Sequence, residues 1–120
     1  MIQKLEIAGV HAKLDERLEK YVTKKIGNLD HYAPRSSRSS LHIEVKLKEG
    51  KASDKKRSTC EVVMHLPHET LAVEETTINM YAAIDIVEVK LKQQLRKYKD
   101  THANPKFYRR LAGRLRRRNS

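Results

Sequence analysis

Two groups of side chains in this 120-residue sequence have the chemistry to form a site: a few histidines with one cysteine, and an excess of lysine and arginine. Cys60, His65 and His68 lie near one another in the chain, and sulfur and nitrogen are typical zinc ligands. On an alternating strand, however, His65 points away from Cys60, and the sequence suggests no fourth ligand. We therefore expect no metal.

The same residue types offer little for catalysis. Cys60 lies on the inward face of a predicted strand, between apolar neighbours on that face and with no base placed for it, so it is predicted to be a small core residue rather than a nucleophile. The six histidines are scattered, and the sequence contains no glycine-rich phosphate loop and no recognisable triad. We expect no catalytic residue, no cofactor and no small-molecule substrate, so the protein is predicted not to be an enzyme.

The basic residues indicate an anionic partner. Lysine and arginine number 26 against 15 aspartates and glutamates, a formal charge of +11. This balance favours nucleic acid first and an acidic membrane surface second. Tryptophan is absent and phenylalanine occurs once, so contacts to phosphate and sugar are favoured over base stacking. With one cysteine and no segment that resembles a signal peptide or a membrane span, the protein is expected to be cytoplasmic.

Hydrophobic periodicity predicts the elements that carry these residues. Alternation predicts strands at residues 2–8, 41–48, 59–66 and 70–75, with Gly9 ending the first. Apolar residues three or four apart predict a first helix over 14–32, stopped by Pro34 and the serines after it. A second helix follows Thr77 or Asn79, either of which can cap it. The predicted fold is α+β, in the order β-α-β-β-β-α, with two helices packed on one face of a mostly antiparallel four-stranded sheet, as in double-stranded-RNA-binding domains.

A helical wheel separates the cations of the second helix. Its core face is predicted to comprise Met80, Ile84, Val87, Leu91, Leu95 and Tyr98, with Tyr81 at the edge of the core. One flank carries Lys90, Gln93 and Lys97 with no acid among them, and we expect it to bind RNA. The other flank mixes Lys92, Arg96 and Lys99 with Asp85 and Glu88, which is typical of a solvated face with ion pairs along the helix.

The first helix and the C-terminal tail add further basic residues. Lys13, Arg17, Lys20 and Lys24 share one flank of the helix, and Asp15, Glu19 and Asp30 the other. If the stripes of the two helices converge, they form a groove that follows phosphates. We divide the chain into a binding domain, 1–101, and a flexible tail, 102–120, which has seven basic residues and no acid. Arg109 and Arg110 of the tail are expected to contact RNA, although its amphipathic spacing also permits a membrane-surface role.

The segments NMYAAID and VKLKQQLRKYK closely resemble a signature of the ribosome hibernation-promoting and ribosome-associated inhibitor family. The resemblance extends back through YVTKKIGNLDHY and covers residues 1–101, including the order of the elements. It implies a monomer that binds 16S rRNA and neighbouring ribosomal proteins in the small subunit and blocks the positions of messenger RNA and of transfer RNA in the A and P sites. Lys90 and Lys97 match basic positions of the family's second helix, and Lys24 and Lys25 match paired lysines of the first.

The sequence also departs from that family's pattern. Asn79 replaces the usual aspartate but retains the ability to cap, whereas Gln93 replaces a common arginine and exchanges one phosphate contact for a neutral hydrogen-bonding group. Val89 is predicted to face away from the sheet and to leave a small apolar spot. The length has no room for the second domain of the family's long members, so a short form is expected. A general double-stranded RNA-binding module is the main alternative.

Overall fold

The computed structural model describes residues 2, 4–10, 12–50 and 57–102, which form an α+β domain. Its elements in chain order are strand β1 (Lys4–Val10), helix α1 (Glu16–Ile26), a 3-10 turn (Leu29–Tyr32), the four-residue helix α2 (Arg35–Arg38), strands β2 (His42–Glu49), β3 (Ser58–Leu66) and β4 (Glu69–Thr77), and the long helix α3 (Met80–His102). The predicted fold class and element order are confirmed, with the 3-10 turn and α2 as additions.

The four strands form one mixed sheet in the order β1-β2-β3-β4. β1 and β2 are parallel, so the chain must cross over between them, and α1 lies in that connection. β2, β3 and β4 are antiparallel neighbours. Leu66 pairs with Glu69 across the tight β3–β4 turn, in which His68 has a positive φ of 70°. β1 and β4 are therefore the two edges of the sheet.

The core lies between one face of the sheet and the two longer helices. Every inward position predicted for the last three strands is buried: Leu41, Ile43, Val45, Leu47, Cys60, Val62, Met64, Leu66, Leu71 and Val73. The predicted core face of α3 is also buried along its whole length, and Leu18, Val22 and Ile26 cover the sheet from α1. On the edge strand β1, Leu5 and Ile7 are only half-buried, whereas Leu71 and Val73 on the other edge strand are buried where β4 packs against α3.

The sequence predicted that the first strand ends at Gly9, but the strand is longer. β1 continues to Val10, and Gly9 pairs with Leu47 of β2. A Cβ atom at Gly9 would lie 2.6 Å from the backbone oxygen of Ala12, so the glycine allows the chain to fold back closely after the strand. β4 is likewise longer than predicted and reaches Thr77.

The first helix ends earlier than its apolar spacing predicted. α1 stops at Ile26, and the side-chain amide of Asn28 donates to the backbone oxygen of Lys24 at 3.1 Å, satisfying a terminal carbonyl. The tighter 3-10 turn that follows still buries Leu29, so the apolar pattern continues although the helix does not. Asp30, predicted on the acidic flank of the helix, is instead buried in this turn.

Candidate nucleic-acid interface

Helix α1 presents a row of cations that its own sequence orients. The Asp15 side chain accepts a hydrogen bond from the Leu18 N–H at 2.7 Å and caps the helix. Burial of Leu18, Val22 and Ile26 fixes the rotation of the helix above the sheet. Arg17 and Lys24 are exposed, and within the described part of the chain no carboxylate forms an ion pair with either. Lys20 is also exposed, but its Nζ lies 3.1 Å from Oε1 of Glu16, a spacing of four residues that the sequence could have signalled.

Lys25 belongs to the interface between the two helices. Its side chain is only about one-third exposed, with Nζ 3.8 Å from Oδ1 of Asp85 on α3 and 5.7 Å from the centroid of the Tyr21 ring. The charge is thus already shared with an acid and an aromatic face. Of the two paired lysines that match the family pattern, Lys24 is exposed to solvent, and Lys25 forms an ion pair between α1 and α3.

Tyr21 provides a polar contact in the same interface. Its hydroxyl donates to Oδ1 of Asp85 at 2.5 Å, and its ring meets Tyr81 edge to face, with centroids 4.9 Å apart at 77°. The hydrogen bond to Asp85, with a smaller effect of desolvation, raises the pKa of Tyr21 to about 12. Tyr81 is half-buried in this contact, which confirms its predicted place at the edge of the core.

The opposite flank of α3 lies against the edge strand β4. The Asn79 side chain caps the helix by accepting a hydrogen bond from the Tyr81 N–H at 2.8 Å. The Thr77 hydroxyl accepts in turn from the Asn79 N–H at 3.1 Å. Lys90 places its Nζ 2.5 Å from Oε2 of Glu75 on β4. The prediction that this flank is free of acid is therefore wrong at Lys90, because the acid comes from a strand that a helical wheel does not include.

Lys97 lies further along the same flank, beside Glu69 and Leu71 of β4, in a shallow depression of about 280 Å³. Its side chain is exposed, and the described residues provide it with no ion pair. Gln93 is exposed one turn earlier. Val89 is 51% exposed, as predicted, with Ile86 at 37% beside it on the outer surface of α3.

The flank of α3 nearest α1 carries the ion pairs that the sequence predicted. Nζ of Lys92 lies 3.7 Å from Oε1 of Glu88, one turn back along the helix. Lys92 and Arg96 also lie over the ring of Tyr32, at 5.4 and 5.6 Å from its centroid. These contacts hold the 3-10 turn against α3.

The two basic stripes do not converge in a groove between the helices. Lys25 and Tyr21 of α1 contact Asp85 and Tyr81, which lie on one side of α3, whereas Lys90 and Lys97 lie on the other side, against β4. The candidate cations therefore border α3 on both sides instead of facing one another. Arg109 and Arg110 lie outside the described residues.

The structure separates Cys60, His65 and His68, the three residues considered as zinc ligands. Cys60 is fully buried in the core, and burial raises the pKa of its thiol to about 12, so the reactive thiolate is scarce near neutral pH. His65 lies on the opposite face of the sheet and His68 in the β3–β4 turn, so the three do not form a metal site. Within the described part of the chain, no helix has both the length and the apolar character needed to cross a membrane.

Fold and surface together define a class: a basic α+β domain whose two helices cover one face of a four-stranded sheet and present lysine and arginine to solvent. The family described as Sigma 54 modulation protein / S30EA ribosomal protein matches residues 5–103. The chain belongs to this family, which confirms the relationship inferred from its motifs.

Similar proteins agree with this assignment. The chain is 35% identical over 96 residues to the "Ribosome hibernation promotion factor" of Lactococcus lactis subsp. cremoris and 33% identical to that of Staphylococcus aureus, covering 80% of its own length in each case and 49% and 48% of theirs. It thus spans about half the length of these curated relatives.

Among solved structures, the N-terminal domain of Thermus thermophilus Protein Y superposes with a TM-score of 0.67 at 27% identity, covering 78% of this chain and 94% of that one. A ribosomal subunit interface protein from Coxiella burnetii has the same fold, with a TM-score of 0.66 at 22% identity over 81% of this chain and 98% of that one.

Proposed function

We propose that this protein is a ribosome hibernation factor that acts by occupancy and not by catalysis. It binds the small ribosomal subunit through 16S rRNA and neighbouring ribosomal proteins, blocks the positions of messenger RNA and of A- and P-site transfer RNA, and so inhibits translation in the cytoplasm as a monomer. The observation that carries the proposal is the family match over residues 5–103, together with relatives named ribosome hibernation promotion factor.

The described surface is compatible with this role. Arg17 and Lys24 on α1 and Lys97 on α3 are exposed cations with no ion pair among the described residues, and such side chains suit phosphate contacts. Lys90 joins them by exchanging Glu75 for a phosphate. Lys20, Lys25 and Gln93 complete the proposed surface of the folded domain, with Arg109 and Arg110 in the tail.

Sedimentation tests the proposal against general RNA binding. The protein is incubated at physiological salt with whole ribosomes, separated subunits and long RNA duplexes, and each mixture is centrifuged. We expect it to sediment with ribosomes and small subunits, to leave the duplexes unbound, and to inhibit translation in vitro. Equal binding to every RNA would favour the double-stranded RNA-binding alternative.

Salt dependence adds a second measurement. Each phosphate neutralised contributes about 0.9 to the log–log slope of affinity against salt, so a footprint of about six contacts predicts a slope near −5. Binding that is insensitive to salt would contradict an interface built on lysine and arginine.

A further inference from the structure

The face of the sheet that the helices leave uncovered brings imidazoles and carboxylates together from three strands. His42 of β2 lies directly opposite His65 of β3 in the antiparallel register. Glu44 follows two residues along β2, and Glu6 of β1 is its neighbour in the parallel register. Because side chains alternate along a strand, all four point away from the buried core residues Ile43 and Met64.

The distances within this group approach those around a single bound ion. One ligand atom from each of His42, Glu44 and His65 lies within 4.8 Å of the others. Nε2 of His65 is 3.3 Å from Oε2 of Glu44, and Nε2 of His42 is 3.4 Å from Oε1 of Glu6. Two ligands held at about 2.0–2.1 Å by one tetrahedral zinc ion are about 3.3 Å apart, whereas hydrogen bonds cluster near about 2.9 Å.

We propose that His42, Glu44 and His65 bind a divalent transition-metal ion of the Zn²⁺ class, with Glu6 or water as the fourth ligand. Two imidazole nitrogens with carboxylate oxygens suit zinc, whereas Mg²⁺ and Ca²⁺ prefer oxygen ligands alone. The side chains of His42 and His65 are 33% and 43% exposed, so an ion enters directly from solvent. Small rotations of these exposed side chains bring the most distant ligand atoms together.

The competing interpretation is a pair of independent histidine–glutamate contacts, His42 with Glu6 and His65 with Glu44. The two imidazole rings argue for a common site, because their centroids lie 5.3 Å apart at an interplanar angle of 32°. This group differs from the zinc site considered from sequence, since Cys60 lies on the other face of the sheet and His68 in the turn. It also lies away from the basic helices, so its test does not depend on ribosome binding.

Calorimetric titration of the full chain with ZnCl₂ tests the proposal. We expect one high-affinity ion per chain, with affinity at least about tenfold weaker in His42→Gln and in His65→Gln, and a smaller loss in Glu44→Gln. His31→Gln and His68→Asn are matched controls, because each removes an exposed histidine outside the group. Absence of zinc binding in the wild type, or equal binding in all variants, would overturn the proposal.

Thermal unfolding provides an independent readout. An ion that binds only the folded chain raises the unfolding midpoint. Zinc should raise it in the wild type and in both control variants relative to EDTA, and should leave it unchanged in His42→Gln and His65→Gln, whose folding is checked by circular dichroism. Mg²⁺ should have no effect on any of them. An equal zinc-dependent shift in all proteins would exclude this site.

Discussion

The two flanks of α3 both carry basic side chains, yet they face different neighbours. On the flank toward α1, Lys92 and Arg96 cover the Tyr32 ring, and Asp85 binds both Tyr21 and Lys25. On the flank toward β4, Lys90 has one acidic partner and Lys97 is exposed. The first set of side chains packs α1 and the 3-10 turn against α3, and the second borders an edge strand of the sheet.

The number of cations on a helix therefore does not measure the charge that is available to bind an anion. A lysine already engaged by an acid or an aromatic ring must exchange that contact for a phosphate, which reduces the net gain on binding. We therefore expect the β4 flank to contribute more to affinity and the α1 flank more to stability.

The largest expected effect comes from reversing charge on the β4 flank. Lys90→Glu with Lys97→Glu replaces two attractive contacts to phosphate by repulsive ones, so ribosome affinity should fall on the order of a hundredfold, with a shallower salt slope. Co-sedimentation at several salt concentrations measures both.

The matched control for that variant reverses two charges on the other flank. Lys92→Glu with Arg96→Glu should reduce affinity by less than about tenfold but lower the midpoint of thermal unfolding, because the contacts to Tyr32 are lost. If this control lost as much affinity as the β4-flank variant, the β4 flank would not contribute more to ribosome binding than the α1 flank.

Removing the tail tests how much residues 102–120 contribute to ribosome affinity. Truncation after Thr101 deletes seven basic residues, and we expect ribosome affinity to fall about tenfold at physiological salt because their phosphate contacts are lost. The ratio of affinities between the two flank variants should stay about the same, because contacts that are far apart contribute additively to the free energy of binding. Equal affinity of the truncated and full chains would refute a role for Arg109 and Arg110.

Tyr21→Phe tests the structural role of the α1 flank. It removes the hydrogen bond to Asp85, so the free energy of unfolding should fall by about 1 kcal/mol while ribosome affinity changes little. The folded-state pKa of Tyr21 is raised above the usual 10, so the contribution of this tyrosine is complete below pH 10 and lost as the pH rises toward about 12.

Denaturant unfolding of wild type and Tyr21→Phe, measured at intervals from pH 8 to pH 12, follows that loss. The two stabilities should differ at the lower pH and approach each other at the upper. A constant difference across this range would show that the hydroxyl contributes nothing that depends on its proton.

The smallest expected effect comes from removing the ion pair between Lys90 and Glu75. Glu75→Gln releases the lysine from its partner, and ribosome affinity should rise about two- to fivefold, which corresponds to the modest energy of an exposed ion pair. Glu88→Gln is the matched control, because it releases Lys92 on the other flank and should leave affinity nearly unchanged. A gain for the control alone would assign RNA binding to the α1 side.

Much of the fold could be predicted because its signals are local. Alternation in β2 and β3 and the spacing along α3 identified the buried side chains correctly, since period and burial are linked within each element. The boundaries were harder to predict. The apolar spacing of α1 continues into a 3-10 turn. Gly9 pairs with Leu47 and so continues β1, and its lack of a side chain leaves room for the backbone oxygen of Ala12.

The α+β class, the core faces, the cap at Asn79 and the family follow from the sequence alone, because each depends on residues close together in the chain. Ion pairs four residues apart on one helix, such as Glu88 with Lys92, follow from the sequence, whereas tertiary structure alone decided the contacts between different elements. Glu75 reaches Lys90 from a strand 15 residues away, Asp85 meets Tyr21 across 64 residues, and His42 meets His65 only through strand register. Ion pairing depends on distance in space, which a helical wheel of one segment does not contain.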